Sequence, residues 1–340
     1  MNSKERIYAT INGGSRDRIA VAPIFMAWAA NYIGHTYRDF YLDGDVLAEA
    51  QLAVTRLFNV DQISAISDPW REASAYGVEF DYPEDGVGKP RDTLIKTAGD
   101  ISLLKPLDIN QCERIKQRVD SVRRMTIETG QTHSVLGWVE GPLAEYADLR
   151  GLENALMDLM DKPEMFVDAA DMLVSNGAAF ARAQLEAGAD MIGVGDAAAS
   201  LIGETLYTEY VLPAEQRLFA EIHYAGAAVK LHICGNITGI IGHMARTGAD
   251  IIDLDWMVPL ATARDLVGPN VTLCGNFDPS AVLMQGSPED VAKAAKKCIE
   301  AGGDRFILMP GCEVPAATAE ENIRAFCPCE GCLIREELNC

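Results

Sequence analysis

Short apolar runs alternate with longer amphipathic segments along nearly the whole chain. The runs are continuously apolar instead of alternating with polar residues, which is typical of strands in a parallel sheet covered on both faces. We predict eight strands, at residues 19–26, 62–67, 134–139, 190–194, 228–233, 250–254, 271–274 and 305–309. After an initial helix, the amphipathic segments predict helices at residues 45–58, 108–128, 163–187, 205–225, 237–247 and 288–301.

Eight strand and helix units of this kind predict an α/β fold, the (β/α)8 barrel, which takes about 250 residues plus insertions. We expect one catalytic barrel domain at residues 1–326, with a helical extension at its amino end, and a cysteine-rich tail at residues 327–340. A doubly wound sheet is the alternative fold. It is disfavoured because no glycine-rich phosphate loop follows the first predicted strand.

The motif LHICGN ends the fifth predicted strand with two metal-binding residue types. Side chains two apart on a strand share a face, so His232 and Cys234 point the same way. Cys312, in FILMPGCEVP, follows the last predicted strand and offers a third ligand. Three N and S ligands with one open position are typical of catalytic zinc, although an isolated buried Cys or His is more often a packed side chain. We predict a zinc site at these three residues.

Function in such a barrel lies at the carboxyl ends of the strands. Carboxylates there are candidates for catalysis, although each can instead cap a helix or a turn. Aromatic and sulfur side chains there predict an apolar substrate pocket. A long loop at residues 76–91, rich in Gly, Pro and acidic residues, is expected over the barrel mouth. The catalytic candidates are Asp68, Glu140 and Asp196, and the substrate-binding candidates are Met26, Trp28, Trp70, Trp138 and Asn276.

Charge and composition exclude several function classes. With a formal net charge of -21 over 340 residues, the chain lacks the clustered Lys and Arg that a nucleic-acid surface requires. No apolar run reaches the roughly 18 residues of a membrane span, and the first residues contain no secretory signal core. We therefore expect a cytoplasmic protein, in which the nine cysteines are thiols or metal ligands. The segment CPCEGC, with Cys327, Cys329 and Cys332, predicts either a second, structural zinc site or a flexible tail.

The stretches LHICGN, IIDLDWMVPLATARDLVGPNVTLCGNFDP and ILMPGCEVPAATAEENI resemble the uroporphyrinogen decarboxylase superfamily. Within it, the chain looks like the zinc-dependent corrinoid methyltransferases. That branch includes methylcobamide:coenzyme M methyltransferases and enzymes that demethylate methoxylated aromatics or methylamines. In this branch a His-x-Cys pair and a distant Cys bind zinc, and they fall on His232, Cys234 and Cys312. The resemblance also implies the barrel fold.

The alternative within the superfamily is a decarboxylase. Decarboxylases carry arginines near the amino end that receive substrate carboxylates, whereas PIFMAWAANYIGHTYRDF offers mainly apolar and aromatic side chains. Asp68, in SDPW, does match the aspartate that decarboxylases use against pyrrole nitrogens. The metal ligands, which decarboxylases lack, favour the methyltransferase interpretation.

The resemblance implies methyl transfer between a corrinoid and a small molecule. The chain has no Asp-x-His-x-x-Gly cobalamin signature, so a separate corrinoid protein is the expected partner, and a homodimer is a further possibility. Zinc would activate a thiol as methyl acceptor or an ether oxygen as leaving group. Glu140 is expected to be a displaceable fourth ligand or a base, and Asp196 to orient His232 or contact substrate. Because Arg38 and Arg71 are the only rim cations, we favour a methoxylated aromatic donor over a sulfonated thiol such as coenzyme M.

Overall fold

All eight predicted strands form in the computed structural model, which describes residues 1–84 and 86–338. Every pairing between neighbouring barrel strands is parallel, and the spatial order is β2-β3-β4-β5-β6-β7-β8-β1. This order confirms the predicted (β/α)8 barrel. The strands are β1 at Ala20–Val21, β2 at Gln62–Ser64, β3 at Ser134–Glu140, β4 at Met191–Gly195, β5 at Ala228–Ile233, β6 at Ile251–Leu254, β7 at Thr272–Phe277 and β8 at Phe306–Pro310.

The seam between β1 and β2 is closed by one buried carboxylate. The Asp61 amide donates a hydrogen bond to the Val21 carbonyl oxygen over 2.8 Å, and the Val21 amide donates to Asp61 Oδ2 over 2.8 Å. Two guanidinium groups, from Arg6 and Arg18, contact the same carboxylate at 2.5–2.9 Å. Such charge-assisted hydrogen bonds are among the stronger ones in proteins. Asp61 thus takes the place of a strand ladder where the barrel would otherwise open.

The amino end of the barrel is filled by the first helix, Ser3–Ile11. This helix begins with a capping box in which Asn2 and Glu5 exchange side-chain and backbone hydrogen bonds. Its residues Ile7 and Ile11 join the apolar cluster inside the barrel, together with strand residues such as Met191. The helix therefore closes the end of the barrel opposite the carboxyl ends of the strands.

Helices surround the barrel largely as predicted. The helix predicted at 237–247 is reduced to one turn, Ile241–Met244, because Gly239 and Gly242 disfavour a helix in this segment. The helix predicted at 205–225 contains a π-helical stretch at 207–211, next to Pro213, which has no amide to donate. The longer helices are Gly44–Phe58, Glu113–Thr129, Pro142–Arg150, Leu152–Asp161, Glu164–Glu186, Leu212–Tyr224, Leu260–Val267 and Pro288–Gly302. The shorter ones are Ala27–Tyr32, Tyr37–Leu42, Arg71–Ala75, Ala98–Leu103, Ala197–Leu201, Gly203–Leu206, Pro279–Met284, Glu320–Phe326 and Arg335–Leu338.

None of the described helices combines the length and the apolar character needed to cross a bilayer. The predicted loop at residues 76–91 contains a short antiparallel hairpin, in which Phe80–Asp81 pairs with Lys89–Pro90. Trp70 packs against Phe80 of this hairpin, with 5.1 Å between the ring centroids. The hairpin is thereby attached to the segment that follows β2.

The described part of the cysteine-rich segment packs against the barrel. Cys327, Ile334 and Leu338 are buried, and the Ile19 amide just before β1 donates a hydrogen bond to the Leu338 carbonyl oxygen over 2.6 Å. The interpretation of this segment as a flexible tail is therefore wrong for residues 327–338. Cys340 lies outside the described residues.

Candidate metal centre and adjoining cavities

Three predicted ligands meet at the carboxyl ends of β5 and β8. His232 lies on β5, Cys234 follows that strand directly, and Cys312 follows β8. One ligand atom from each lies within 4.8 Å of the others. His232 Nε2 is 2.9 Å from Cys234 Sγ. In the described chain this is the one group of three or more His, Cys, Asp or Glu residues with such spacing.

Each cysteine ligand has a glycine beside it that the backbone requires. Gly235, after Cys234, has a positive φ of 92°, a conformation that glycine adopts at low cost. Gly311, before Cys312, lies so close to the loop after β6 that an added Cβ would be 2.3 Å from the Trp256 amide nitrogen. The Gly-Cys and Cys-Gly steps thus allow two loops to approach closely enough for the sulfurs to meet.

Asp253 holds His232 from the neighbouring strand. The register between β5 and β6 places these two residues side by side, with His232 Nδ1 3.4 Å from Asp253 Oδ2. Asp253 is fully buried, and Lys230 Nζ lies 3.1 Å from the same oxygen. A carboxylate against one imidazole nitrogen leaves the other free for a metal, which is the usual arrangement around metal-bound histidines. The sequence analysis missed Asp253; a charged residue inside an apolar strand was the available signal.

The protonation of the three ligands reflects their mutual contacts in the metal-free state. Burial lowers the pKa of His232, but Cys234 and Asp253 outweigh burial and hold the pKa well above its usual value. The hydrogen bond from Cys234, aided by His232, lowers the pKa of Cys312 to about 5, whereas the pKa of Cys234 is raised. One thiolate and one thiol therefore share a proton, and a bound cation would displace that proton.

A cavity of about 160 Å³ opens onto the three ligands. Four of the predicted site residues line it, namely Met26, Asp68, Trp138 and Glu140. Trp138 fits inside the barrel because β4 has glycine beside it: a Cβ on Gly193 would be 2.2 Å from the indole. The remaining lining residues are Ile24, Ile66, Ser67, Pro69, Gly195, Ala197 and Glu313, together with the three ligands. The walls are mainly apolar, as expected for a small-molecule site.

A second cavity, of about 350 Å³, adjoins the first. Pro69, Glu140 and Ala197 line both cavities, and Trp70 lines the second. The other residues of its wall are Pro90, Ala144, Ala147, Asp148, Gly151, Leu152, Ala198 and Leu201. The predicted aromatic residues Trp70 and Trp138 therefore lie in adjoining spaces on either side of Glu140.

Trp28 and Asn276 do not line either cavity. The Trp28 indole donates a hydrogen bond to the Thr318 carbonyl oxygen over 2.9 Å and stacks on Tyr32. Asn276 donates to the Asp255 and Val258 carbonyl oxygens, which holds the loop after β6. Both side chains are buried structural contacts in this geometry.

The Asp196 amide donates a hydrogen bond to the His232 carbonyl oxygen over 3.0 Å, but the contacts of the Asp196 carboxylate lie elsewhere. Its carboxylate accepts hydrogen bonds from the Leu143 and Ala144 amides, at 3.3 and 2.7 Å, and so binds the amino end of helix Pro142–Arg150. Burial raises the pKa of Asp196 to about 7, although these amides act in the opposite direction. The expected orienting contact to His232 is made by Asp253 instead.

Asp68 and Glu140 line the cavity in opposite electrostatic environments. Asp68 Oδ1 lies 2.6 Å from Arg114 Nη2, and although burial raises the pKa of Asp68, Arg114 and Arg71 lower it further than burial raises it. Burial raises the pKa of Glu140 well above its usual value, despite the Arg71 guanidinium 3.1 Å away. The pKa of Asp68 is therefore lowered, whereas burial raises the pKa of Glu140 and raises that of Glu313, the third carboxyl of this cavity, to about 7.

Three further carboxylates, which the sequence analysis missed, lie behind Glu140. Glu72 Oε1 accepts a hydrogen bond from the Glu140 amide over 2.9 Å. Glu145 is only 5% exposed, and neither of its carboxylate oxygens has a hydrogen-bond partner. Asp148 Oδ2 is likewise buried without a partner. Burial and neighbouring carboxylates raise the pKa of both Glu145 and Asp148. When ionised, this group of four carboxylates has a net negative character, because Arg71 contacts only Glu72 and Glu140 among them.

Comparison with known proteins relates this geometry to two activities. The family described as uroporphyrinogen decarboxylase (URO-D) matches residues 2–329. The methylcobamide:CoM methyltransferase MtbA of Methanosarcina acetivorans is 27% identical over 335 residues, which cover 96% of each chain. A uroporphyrinogen decarboxylase of Rhodococcus erythropolis is 31% identical over 271 residues, 78% of this chain and 74% of that one.

Solved structures agree on the fold. A structure described as a methyltransferase from Methanosarcina mazei superposes with a TM-score of 0.87 at 22% identity, over 96% of this chain and 97% of that chain. A B12-independent methionine synthase from Shewanella gives a TM-score of 0.54 at 14% identity, over 83% of both chains. At these identities the similarity shows the barrel architecture alone.

Proposed function

The chain belongs to the uroporphyrinogen decarboxylase family, and within this family we propose that it is a zinc- and corrinoid-dependent methyltransferase. The observation that carries the proposal is the convergence of His232, Cys234 and Cys312 at the barrel mouth. The similarity to methylcobamide:CoM methyltransferases over nearly the full length of both chains supports it. We propose transfer of a methyl group between a corrinoid protein and a small molecule, with zinc and corrinoid as the cofactors.

The donor set fits zinc. One imidazole nitrogen and two cysteine sulfurs are typical of catalytic zinc sites, which keep a position open for a substrate atom. The buried Asp253 beside His232 Nδ1 is the kind of outer contact that fixes a metal-binding histidine. Zinc bound here would supply a Lewis acid that activates a thiol as methyl acceptor or an ether oxygen as leaving group.

The protein's own residues would then bind and orient the small molecule. Met26 and Trp138 form an apolar wall that excludes water near the ligands. Burial raises the pKa of Glu140 in the same cavity; as a carboxylic acid it would give its proton to a leaving oxygen, and as a carboxylate it would take one from a thiol. Asp68, fixed by Arg114, keeps the segment after β2 in place. Asp196 fixes the helix after β3, which begins directly behind Glu140.

The corrinoid would come from a partner protein that docks at the barrel mouth. The first helix fills the opposite end of the barrel, so the mouth is the side from which the ligands can be reached. The decarboxylase alternative is less well supported. Substrates with several carboxylates need basic groups, and no Lys or Arg lines either cavity in the described chain.

The test is a single-turnover reaction with the zinc-loaded protein and a free corrinoid. Methylcob(III)alamin with a series of thiols tests one direction, and cob(I)alamin with aryl methyl ethers tests the other; the corrinoid spectrum reports both. We expect methyl transfer in at least one direction and its loss after zinc removal. Decarboxylation of a carboxylated tetrapyrrole by the zinc-free protein, without any methyl transfer, would contradict the proposal.

A further inference from the structure

The second cavity can contact a part of a bound ligand that does not reach the metal-ligand candidates. It adjoins the first cavity through Pro69, Glu140 and Ala197, so a molecule bound at the metal ligands can extend into it. Its wall is apolar except for two carboxylates, Glu140 and Asp148. A ligand that fits must therefore present an apolar body together with a group that is complementary to carboxylates.

The carboxylates behind this wall outnumber the cations that contact them. Arg71 Nη2 is 3.1 Å from Glu140, Nε is 3.6 Å from Glu72 and Nη1 is 3.9 Å from Asp68, so the single charge of Arg71 is divided among three carboxylates. Glu145, 5% exposed, has no hydrogen-bond partner at either oxygen, and Asp148 Oδ2 has none. Buried carboxylates without partners are costly unless a donor or cation reaches them. The group is thus short of positive charge on the side of the second cavity.

An aromatic side chain completes the wall. Trp70 lines the second cavity and is supported from behind by Phe80 of the hairpin. Indole faces attract cations, most strongly where the cation is desolvated. No Lys, Arg or His lines the second cavity in the described chain, so a sulfonate or carboxylate would find no counter-charge there.

We infer that the second cavity binds the part of the substrate remote from the methyl group, and that it selects a positively charged amine over an anion. The cavity takes an apolar, preferably aromatic, body whose ammonium group lies against Asp148 and Glu140. The inference rests on the proposed function for the identity of the ligand as a methyl donor or acceptor. It further implies that a short sulfonated thiol is a poor substrate.

Three aryl methyl ethers of equal shape test this selectivity by binding alone. They are 4-methoxybenzylamine, 4-methoxybenzyl alcohol and 4-methoxybenzoate, titrated into the zinc-loaded full chain and followed by calorimetry and tryptophan fluorescence. We expect the amine to bind at least about tenfold more tightly than the alcohol, since one charge-assisted contact contributes about 1.4 kcal/mol, and the benzoate to bind most weakly. Equal binding of benzoate and amine, or no binding of any of the three, would overturn the inference.

Asp148→Asn and the matched control Asp168→Asn localise the effect. Asp168 is exposed on helix Glu164–Glu186, away from both cavities. Asp148→Asn should reduce the preference for the amine about tenfold, and Asp168→Asn should leave it unchanged; equal behaviour of the two variants would overturn the assignment to Asp148. If Asp148→Asn does not fold, binding of the three ethers to the unmodified protein still tests whether the cavity selects the amine.

The same ethers separate this inference from the proposed function. Amine-selective binding without methylation of cob(I)alamin or demethylation of methylcob(III)alamin would refute the proposed function and leave the selectivity standing. Methyl transfer that proceeds equally well with all three ethers would support the proposed function and refute the selectivity for the amine.

Discussion

Two groups of three residues of metal-binding types have opposite geometries in the described chain. His232, Cys234 and Cys312 are far apart in sequence, yet their ligand atoms lie within 4.8 Å of one another. Cys327, Cys329 and Cys332 are close in sequence, but their sulfurs do not form a comparable group in the described chain. The first group supports a metal centre, and the second supports packing of the carboxyl-terminal segment.

The difference comes from what holds each group. The register of parallel strands fixes His232 beside Asp253 and aims two separate strand ends at one point. In the carboxyl-terminal segment, as far as residue 338, no strand imposes such a register. There Cys327 is drawn into the core, while Cys329 Sγ lies 3.9 Å from Arg324 Nη1. Proximity in sequence is therefore a weaker predictor of a metal site than shared position at the end of a barrel.

Removing a mouth cysteine should have the largest effect. Cys234→Ala and Cys312→Ala should each abolish tight zinc binding and reduce methyl transfer below detection, because two ligands cannot retain a catalytic zinc. Metal analysis by mass spectrometry and the single-turnover assay measure this. Cys298→Ala, at a buried cysteine away from the centre, is the control and should keep one zinc. Full zinc content in both variants would show that Cys234 and Cys312 do not hold the zinc.

Removing the carboxylate behind His232 should have a smaller effect on the same group. Asp253→Asn should weaken zinc binding about 10- to 100-fold, because His232 loses the partner that fixes its orientation. Competition with a chromophoric chelator measures the affinity. Asp250→Asn, at the start of the same strand, is the control and should leave zinc affinity unchanged. An unchanged affinity in Asp253→Asn would show that the register of β5 and β6 does not organise the site.

Thiol reactivity should separate the two groups in the zinc-free protein. The pKa of Cys312 is lowered to about 5 by Cys234 and His232, whereas burial raises the pKa values of Cys327, Cys329 and Cys332. At pH 7 Cys312 is a thiolate, so iodoacetamide should modify it at least about tenfold faster than the other three. Its rate should fall as the pH decreases through about 5, since protonation removes the nucleophile.

Peptide mass spectrometry identifies the modified residue. Bound zinc should protect Cys312 and leave the other three unaffected. Faster modification of Cys329 or Cys332 than of Cys312 at pH 7 would show that Cys312 is not the most reactive of these thiols.

Replacing the outer cysteines should have the smallest effect. The double variant Cys329→Ser, Cys332→Ser should keep one zinc per chain and lower the melting temperature by no more than about 4 °C. Cys332 is only partly buried, and the buried Cys329 sulfur already contacts Arg324 Nη1 and the Glu330 carbonyl oxygen, which a serine hydroxyl can also contact. Metal analysis and thermal unfolding measure this. Loss of one zinc equivalent would restore the interpretation of the segment as a structural zinc site.

The fold was predictable because continuous apolar runs mark the barrel strands individually. The run at 228–233 corresponds to β5 without any shift, and the run at 190–194 corresponds to β4 with a shift of one residue. The three metal-ligand candidates could be predicted because they lie at the end of an apolar run or shortly after it. The helix predicted at 237–247 failed because two glycines break a pattern that hydrophobic spacing alone supports.

The surroundings of the ligands were less predictable because they depend on register and on side-chain direction. Asp253 contacts His232 only through the pairing of two strands, which one strand's sequence does not reveal. Trp28 was expected in the pocket, but it follows β1 on a short helix that turns the indole towards Thr318. Glu145 is two residues beyond Leu143 on a helix whose entire surface is nearly buried, so no amphipathic pattern marks it.

The helix that fills the amino end of the barrel also restricts access to the metal-ligand candidates to the opposite end. With Ile7 and Ile11 inside the barrel, the described chain gives small molecules and any large partner the same route to the metal ligands. A docked partner therefore blocks exchange of the small molecule, and a slowly departing product delays the next partner. For the proposed methyltransferase, the small molecule would have to bind before the partner and leave after it, so the small-molecule product should inhibit competitively against the small-molecule substrate in steady-state kinetics.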